Sequence, residues 1–491
     1  MLKSIETSPL YPIVNPKSIA IFGASNNINV MGTNQLLSIL SRGYEGKVYP
    51  VHPREKKVQN LKAYRNIMDL PEVPDLVLMV LPTDIVPRVL EECGRKGVKH
   101  AIIVSGGFKE VGGKGLDLEK KLIAVAEQYG IRFLGPNCIG VANPHQKLNV
   151  TFLEDNSAPG FIGMASQSGS FITQMFDYLS NFGLGFSTGM SVGNEANIDL
   201  VDCMEYLALC PHTKVIALYI ESIRRGAEFI KTARSIVPHK PIVAYYVGGS
   251  EAGKRASLSH TGALAGPDRL YNGVFRQSGV IRVASIAELF DCCWVLGSCP
   301  LPGGNRVVVQ THSGGPGAAA ADACSRAGLE LPPLSMGTRE KLSAFVPHTA
   351  SMNNPIDLTF SKNPLDYYAK IPSILLEEPG ADGLLIYYMM PNQTIARALE
   401  SMGSSADTIP QQIEKFTEDV CNSVVTLFQN QSRPFIGFFF RRQAELFIRK
   451  LQEKGIPVLP GPERAARAML ALVQYKRLRQ KILVSARESL A

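Results

Sequence analysis

Among the eight histidines of the chain, His260 has a setting of its own. It lies in Gly248-Gly249-Ser250-Glu251-Ala252-Gly253-Lys254-Arg255 and the following Ala256-Ser257-Leu258-Ser259-His260-Thr261-Gly262-Ala263-Leu264-Ala265-Gly266, a stretch dominated by small residues. An imidazole on such a loop can reach a reacting group as nucleophile or base, or it can simply pin the loop. Glu221, at the end of the apolar run Val215–Ile220, could hydrogen-bond one ring nitrogen and leave the other to attack. His312 is a weaker competitor for the role. The other histidines lie before a strand, in Pro-flanked turns or in loops.

Two turns repeat a second kind of chemistry. Ser166-Gln167-Ser168-Gly169 and Ser313-Gly314-Gly315 each follow an apolar run and precede a helical pattern. Both bring hydroxyls and free amide N–H groups to a helix N-terminus, where the macrodipole favours an anion. One such turn alone reads more readily as N-capping. The pair implies a phosphoryl group gripped from two sides.

A third set points to a nucleotide. Gly23-Ala24-Ser25-Asn26, with Gly32 farther on, does not have the G-x-G-x-x-G spacing of a dinucleotide site, and the next strand ends in Val51-His52-Pro53-Arg54-Glu55-Lys56-Lys57 with no acidic residue placed for ribose hydroxyls. His52, Arg54 and Lys56 suit a ligand with an extra ribose phosphate, such as NADP or coenzyme A, unless they are a plain solvated loop. Leu81-Pro82-Thr83 and Ser105-Gly106-Gly107-Phe108 end strands of the same unit, and the glycines let backbone amides approach a ligand closely.

The elements that position these residues read as α/β throughout. Strands are expected at Ser18–Phe22, Lys47–Val51, Leu76–Leu81, Ala101–Val104 and Arg132–Leu134, with helices such as Asn34–Ser41 and Ile85–Arg95 between them. Continuous apolar strands alternating with helices imply a parallel sheet covered on both faces. Further strands are expected at Gly160–Ala165, Val215–Ile220 and Pro241–Val247. After the Leu301-Pro302-Gly303-Gly304 hinge come Arg306–Gln310, Gly383–Met389, Pro434–Phe440 and Pro457–Leu459. A length of 491 residues suggests about three domains, placed at 1–147, 148–302 and 303–491. The fold class is α/β, a Rossmann-like domain followed by two flavodoxin-like domains that echo each other in their Ser-Gly turns.

Composition bounds the rest. Hydrophobic residues make up 45% and charged residues 19%, which fits large buried cores and excludes disorder and coiled coil. No apolar run approaches a membrane span, and the N-terminus lacks a signal-peptide pattern. A net charge of +8 with dispersed Lys and Arg gives no support to nucleic-acid binding. Nine cysteines form no C-x-x-C pair or zinc spacing, so they read as reduced thiols of a cytoplasmic protein, with no metal bound by this chain.

Ser259 to Gly266 with its glycine-rich approach, Ser166 to Gly169, Gly135-Pro136-Asn137-Cys138, Ser191-Val192-Gly193-Asn194-Glu195 and Asn354-Pro355-Ile356-Asp357 together resemble the NDP-forming acyl-CoA synthetases. These include the ADP-forming acetate–CoA ligases and are relatives of succinyl-CoA synthetase, and the resemblance covers essentially the whole chain. It implies a CoA-binding domain followed by two ligase-CoA, succinyl-CoA ligase-like domains. His260 would be the phosphohistidine and Glu221 the carboxylate that orients it. Ser166, Gln167, Ser168 and Gly169, with Ser313, Gly314 and Gly315, would be the phosphate-gripping helix ends. CoA would lie against Gly23, Ala24, Ser25, His52, Arg54, Lys56, Pro82, Ser105, Gly106, Gly107 and Phe108.

The implied reaction joins a small-molecule acid to CoA, or cleaves acyl-CoA, through an acyl phosphate and the phosphorylated histidine. No stretch reads as an ATP-grasp domain or a G-x-x-x-x-G-K-[ST] loop. ATP or ADP, with Mg, would therefore be handled by a separate ATP-grasp β subunit in a hetero-oligomer or dimer. His312 departs from the small or amide residue expected at its position. A stand-alone enzyme passing acyl groups between phosphate and CoA is one alternative. A CoA-binding regulatory protein without turnover is another, opposed by the retention of His260, Glu221 and both turns, since a sensor needs only the first domain.

Overall fold

The computed structural model describes residues 4–153, 158–253, 266–347, 350–358, 363–390, 392–440 and 445–488. The chain forms two compact units, Met1–Leu289 with Ile482–Ala491, and Phe290–Lys481.

Among the described residues the first unit holds two large sheets, besides a two-stranded antiparallel pair of Lys57–Val58 with Leu61–Lys62. In the first, β1 (Ser18–Phe22), β2 (Lys47–Val51), β3 (Leu76–Met79), β4 (His100–Ile103) and β5 (Arg132–Leu134) are all parallel and lie in the order β2-β1-β3-β4-β5. Every residue of β1 and β3 is buried, as expected of strands covered by helices on both faces. Two of these helices are α1 (Met31–Ser41) and α2 (Val86–Lys96). The core beneath one face is built from Ala20, Val77, Ile103, Phe133 and their neighbours.

The second sheet contains β6 (Val141–Asn143), β7 (Leu148–Asn149), β8 (Ile162–Ser166), β9 (Phe186–Ser191), β10 (Val215–Ile220), β11 (Ile242–Tyr246) and β12 (Ile281–Val283), in the order β12-β11-β10-β8-β9-β6-β7. The five strands from β8 on are parallel, whereas β6 and β7 run antiparallel at one edge. Helix α3 (Gly169–Ser180) follows β8, and α4 (Leu200–Leu209) follows β9.

The second unit carries one sheet of β13 (Val307–Thr311), β14 (Ile356–Asp357), β15 (Gly383–Tyr387), β16 (Phe435–Phe439) and β17 (Val458–Pro460), parallel and in the order β14-β13-β15-β16-β17. Helix α5 (Gly314–Ala327) follows β13, and α6 (Pro462–Glu488) follows β17. Ranked by position in the chain, the five parallel strands of each of the three large sheets thus lie second, first, third, fourth, fifth. That order places a topological switch point between the first and third strands, where a crevice opens at their carboxyl ends.

Candidate active site

Gln167 and Glu221 sit at the switch point of the second sheet, just past β8 and β10. Oε1 of Gln167 accepts from the backbone amides of Glu221 at 2.5 Å and Ser222 at 2.9 Å. Its Nε2 donates to Ser222 O at 2.8 Å and to Glu195 Oε2 at 2.7 Å. All four hydrogen-bonding positions of this amide are therefore taken up by protein. The side chain of Gln167 ties two strand ends together, and its backbone N–H donates to Tyr219 O at 3.2 Å, so Gln167 has no donor left for a phosphate.

Glu221 is 6% exposed. It lines a polar cavity of about 60 Å³ with Lys109, Glu195, Ser222 and Arg224. Burial pushes the Glu195 carboxyl up to about 7, against the opposing pull of its hydrogen bonds from Leu200 and Gln167. Burial also lowers the Lys109 ammonium. His260 lies outside the described residues.

The two Ser-Gly turns share one geometry. Ser166 Oγ donates to Ser168 O at 2.7 Å, and Thr311 Oγ1 donates to Ser313 O at 3.1 Å. Ser168 and Ser313 are the N-cap residues of α3 and α5, yet neither side chain caps its helix. Ordinary N-capping therefore does not account for them. Ser168 and Gly169 are half-buried, and Gly314 and Gly315 are exposed. The turns belong to different units.

Their equivalence shows how His312 differs from Gln167, whose place it takes. Ser166 pairs with Tyr219, and Gln310 pairs with Ile386, so the position matching Glu221 is Met389. His312 stacks on Tyr367 at 3.5 Å, 13° from parallel. Burial lowers its pKa to about 4, outweighing the opposing effect of Asp357. Among the described residues its Nε2 has no hydrogen-bond partner. A buried, stacked ring with methionine where the other site has its orienting carboxylate is poorly equipped to be the residue that accepts a phosphoryl group.

The first sheet presents its own switch point. Gly23 (φ 92°) passes so close to β3 that a Cβ there would lie 1.9 Å from Val80 O. Ser25 N donates to Thr33 Oγ1 at 3.0 Å, which fastens the loop to α1. Nδ1 of His52 accepts from the amides of Arg54 at 3.3 Å and Glu55 at 2.9 Å, while the Arg54 and Lys56 side chains stay exposed. Asn26 Nδ2 donates to Glu55 and to Lys57 O, joining this basic loop to the Gly23–Ser25 turn.

Pro82 and Gly106 are exposed and Gly107 is half-buried. Ser105 is buried, its hydroxyl donating to Leu81 O at 2.6 Å. Phe108 is fully buried in the core, so its ring anchors the loop and does not face a ligand. A cavity of about 410 Å³ runs from Leu81, Ser105 and Gly106 to Gln167, Gly169 and Ser170. The carboxyl edge of the first sheet and the Ser-Gly turn of the second thus open into one space.

The residues that sequence reasoning left without a role are Lys109, Asn194, Glu195 and Arg224. Lys109 Nζ donates to Asn194 O, and Asn194 Nδ2 donates to Glu110 Oε2 at 2.6 Å and Glu119 Oε2 at 3.0 Å. Gly193 (φ 55°) makes the approach possible, since a Cβ there would lie 2.3 Å from Pro136 O. The unusual Gly-Asn-Glu turn was the available signal. Among the described residues no group of three or more His, Cys, Asp or Glu gathers as it would around a metal, and no helix is long and apolar enough to cross a membrane.

The α subunit of ADP-forming acetate–CoA ligase II from Pyrococcus furiosus is 38% identical over 461 residues, 94% of this chain and 96% of that one. This chain belongs to the family of ADP-forming acid–CoA ligases. The α subunit of ligase I from the same organism is 34% identical over 96% of this chain. Another family member, the 4-hydroxybutyrate–CoA ligase of Nitrosopumilus maritimus, is 33% identical over 94% of this chain, which spans only 64% of that protein. The family fold also matches acetyl-coenzyme A synthetase 1 of Ca. Korarchaeum cryptofilum, solved with phosphate and ADP, at a TM-score of 0.85 and 32% identity, covering 97% of this chain and 98% of that one. Models for a CoA binding domain, a succinyl-CoA ligase like flavodoxin domain and a ligase-CoA domain match residues 17–144, 159–296 and 307–406.

Proposed function

We propose that this chain is the α-type subunit of an ADP-forming acid–CoA ligase, with bounds near 1–147, 148–302 and 303–491 for its CoA-binding and two ligase domains. The amide end of α3 and the amide end of α5 each offer a place for phosphate or for the phosphoryl group of an acyl phosphate. His260 takes the phosphoryl group through one ring nitrogen while Glu221 holds the other ring nitrogen's proton. The helix ends balance the phosphate charge with dipoles already in place. CoA lies along Gly23–Ser25, His52–Lys56, Pro82 and Ser105–Gly107, with its phosphorylated ribose at the basic loop.

The observation that carries this reading is the cavity shared by Ser105, Gly106, Gln167 and Gly169, because the CoA thiol and the acyl phosphate, whose acyl group it takes as phosphate leaves, must meet in one space. Nucleotide is bound by a separate ATP-grasp subunit with Mg. In support, the Pyrococcus furiosus relative matched over 96% of its own length is named as an α subunit.

The full chain incubated with acetyl-CoA and radiolabelled phosphate should acquire acid-labile, base-stable label, and His260→Asn should acquire none. Label that survives the substitution would remove His260 from the mechanism. A chain that binds CoA but takes no label from any acyl-CoA, with or without an ATP-grasp partner, would instead be a regulatory CoA-binding protein.

A further inference from the structure

Glu195 has a left-handed backbone (φ 53°), a conformation that costs a non-glycine residue energy and that the surroundings must impose. It is 5% exposed. Its Oε1 accepts from Leu200 N at 2.9 Å and its Oε2 from Gln167 Nε2 at 2.7 Å. Gln167 has one usable orientation: turned over, its amide would point Nε2 at the two N–H donors of Glu221 and Ser222, and Oε1 at two acceptors. The acceptor at Glu195 is thus one of the groups that fix which way Gln167 faces.

We infer that Glu195 is a positioning residue for phosphoryl transfer, holding the backbone of Glu221 in place through Gln167. The inference rests on the phosphohistidine reading above, in which the Glu221 carboxylate orients His260. Lys109, Glu221 and Arg224 line the cavity beside Glu195, and Asp199 opposes its ionisation from α4's N-terminus. An ionised carboxylate is a stronger acceptor than a neutral acid. The tie to Gln167 is therefore firm while Glu195 is charged and slackens as it takes up a proton below about 7.

Glu195→Gln tests this, because a glutamine offers one acceptor where two N–H donors need one each. In wild-type chain with nitrogen-labelled glutamine side chains, the Gln167 amide signal should shift with a midpoint near neutral pH, and the shift should vanish in Glu195→Gln. With acetyl-CoA and radiolabelled phosphate, the variant should label His260 about tenfold more slowly at mildly alkaline pH. It should also lack the component of the wild-type pH profile that follows Glu195.

Gln167→Asn, which shortens the bridge from the other side, should give the same loss and serves if Glu195→Gln does not fold. Labelling of Glu195→Gln at the wild-type rate with an unchanged pH profile would overturn the inference, as would a Gln167 signal indifferent to pH. If wild-type chain takes no label at all, the phosphohistidine reading fails, and the amide titration still decides whether Glu195 controls Gln167.

Discussion

Burial moves two side chains in opposite directions, His312 down to about 4 and Glu195 up to about 7. For His312 the folded value lies below the ordinary 6.5, so as pH falls through 6.5 toward 4 the unfolded chain takes up a proton that the folded one refuses. Stability is lost over that window. His312→Phe keeps a ring against Tyr367 and removes the proton, so it should flatten the acid loss, which in wild type reaches about 2 kcal/mol near pH 5. Trp294, the single tryptophan, lies in the same unit, and its fluorescence in denaturant titrations at neutral and acidic pH checks this. For Glu195 the folded value lies above the ordinary 4.5, so its contribution declines as pH rises from 4.5 to 7. His260, Glu221 and the paired serines were legible as candidates because their types and turns are local features. Gln167 read as a phosphate ligand because nothing in a linear sequence shows that Glu195, Glu221 and Ser222 surround its amide. Glu195 was legible only as part of a family motif, for the same reason.

At the scale of elements, capping separates a structural helix start from one left open. Asp199 accepts from the amides of Val201 and Asp202 in a full capping box at α4, whereas Ser168 and Ser313 leave their helices uncapped by side chains. Asp199→Ala should cost about 1–2 kcal/mol in thermal unfolding, and Ser168→Ala should cost under about 0.5 kcal/mol. In the labelling assay Ser168→Ala should nevertheless slow phosphorylation, as expected if its hydroxyl faces the phosphate. Most parallel strands were legible because they are runs of buried aliphatic residues such as Leu76–Met79. The antiparallel pair β6 and β7 was not: Val141–Asn143 and Leu148–Asn149 are too short for a period of two to emerge, and they pair only because β9 lies beside β6.

For the whole molecule, length suggested three domains, and the described residues form three large sheets with five parallel strands each, two of which share a compact unit. Contacts such as Gln35 Nε2 to Ile139 O and Val150 O, at 3.2 and 3.0 Å, join those two sheets, and no periodicity foretells them. Helix α6 starts in the second unit and ends in the first, where Ile482 is 5% exposed and packs so closely on Gly279 that a Cβ there would lie 2.5 Å from Ile482 Cδ1. Ile482→Ala should destabilise the first unit by about 2–4 kcal/mol. The loss should appear in far-ultraviolet dichroism and not in the fluorescence of Trp294, which reports the other unit. This placement of Ile482 has a consequence during translation. The first unit leaves the ribosome with a gap in its packing that closes only after the whole second unit has been synthesised, an interval of roughly ten to forty seconds at ~5–20 residues per second. Over that interval the nascent chain exposes apolar surface that chaperones can bind.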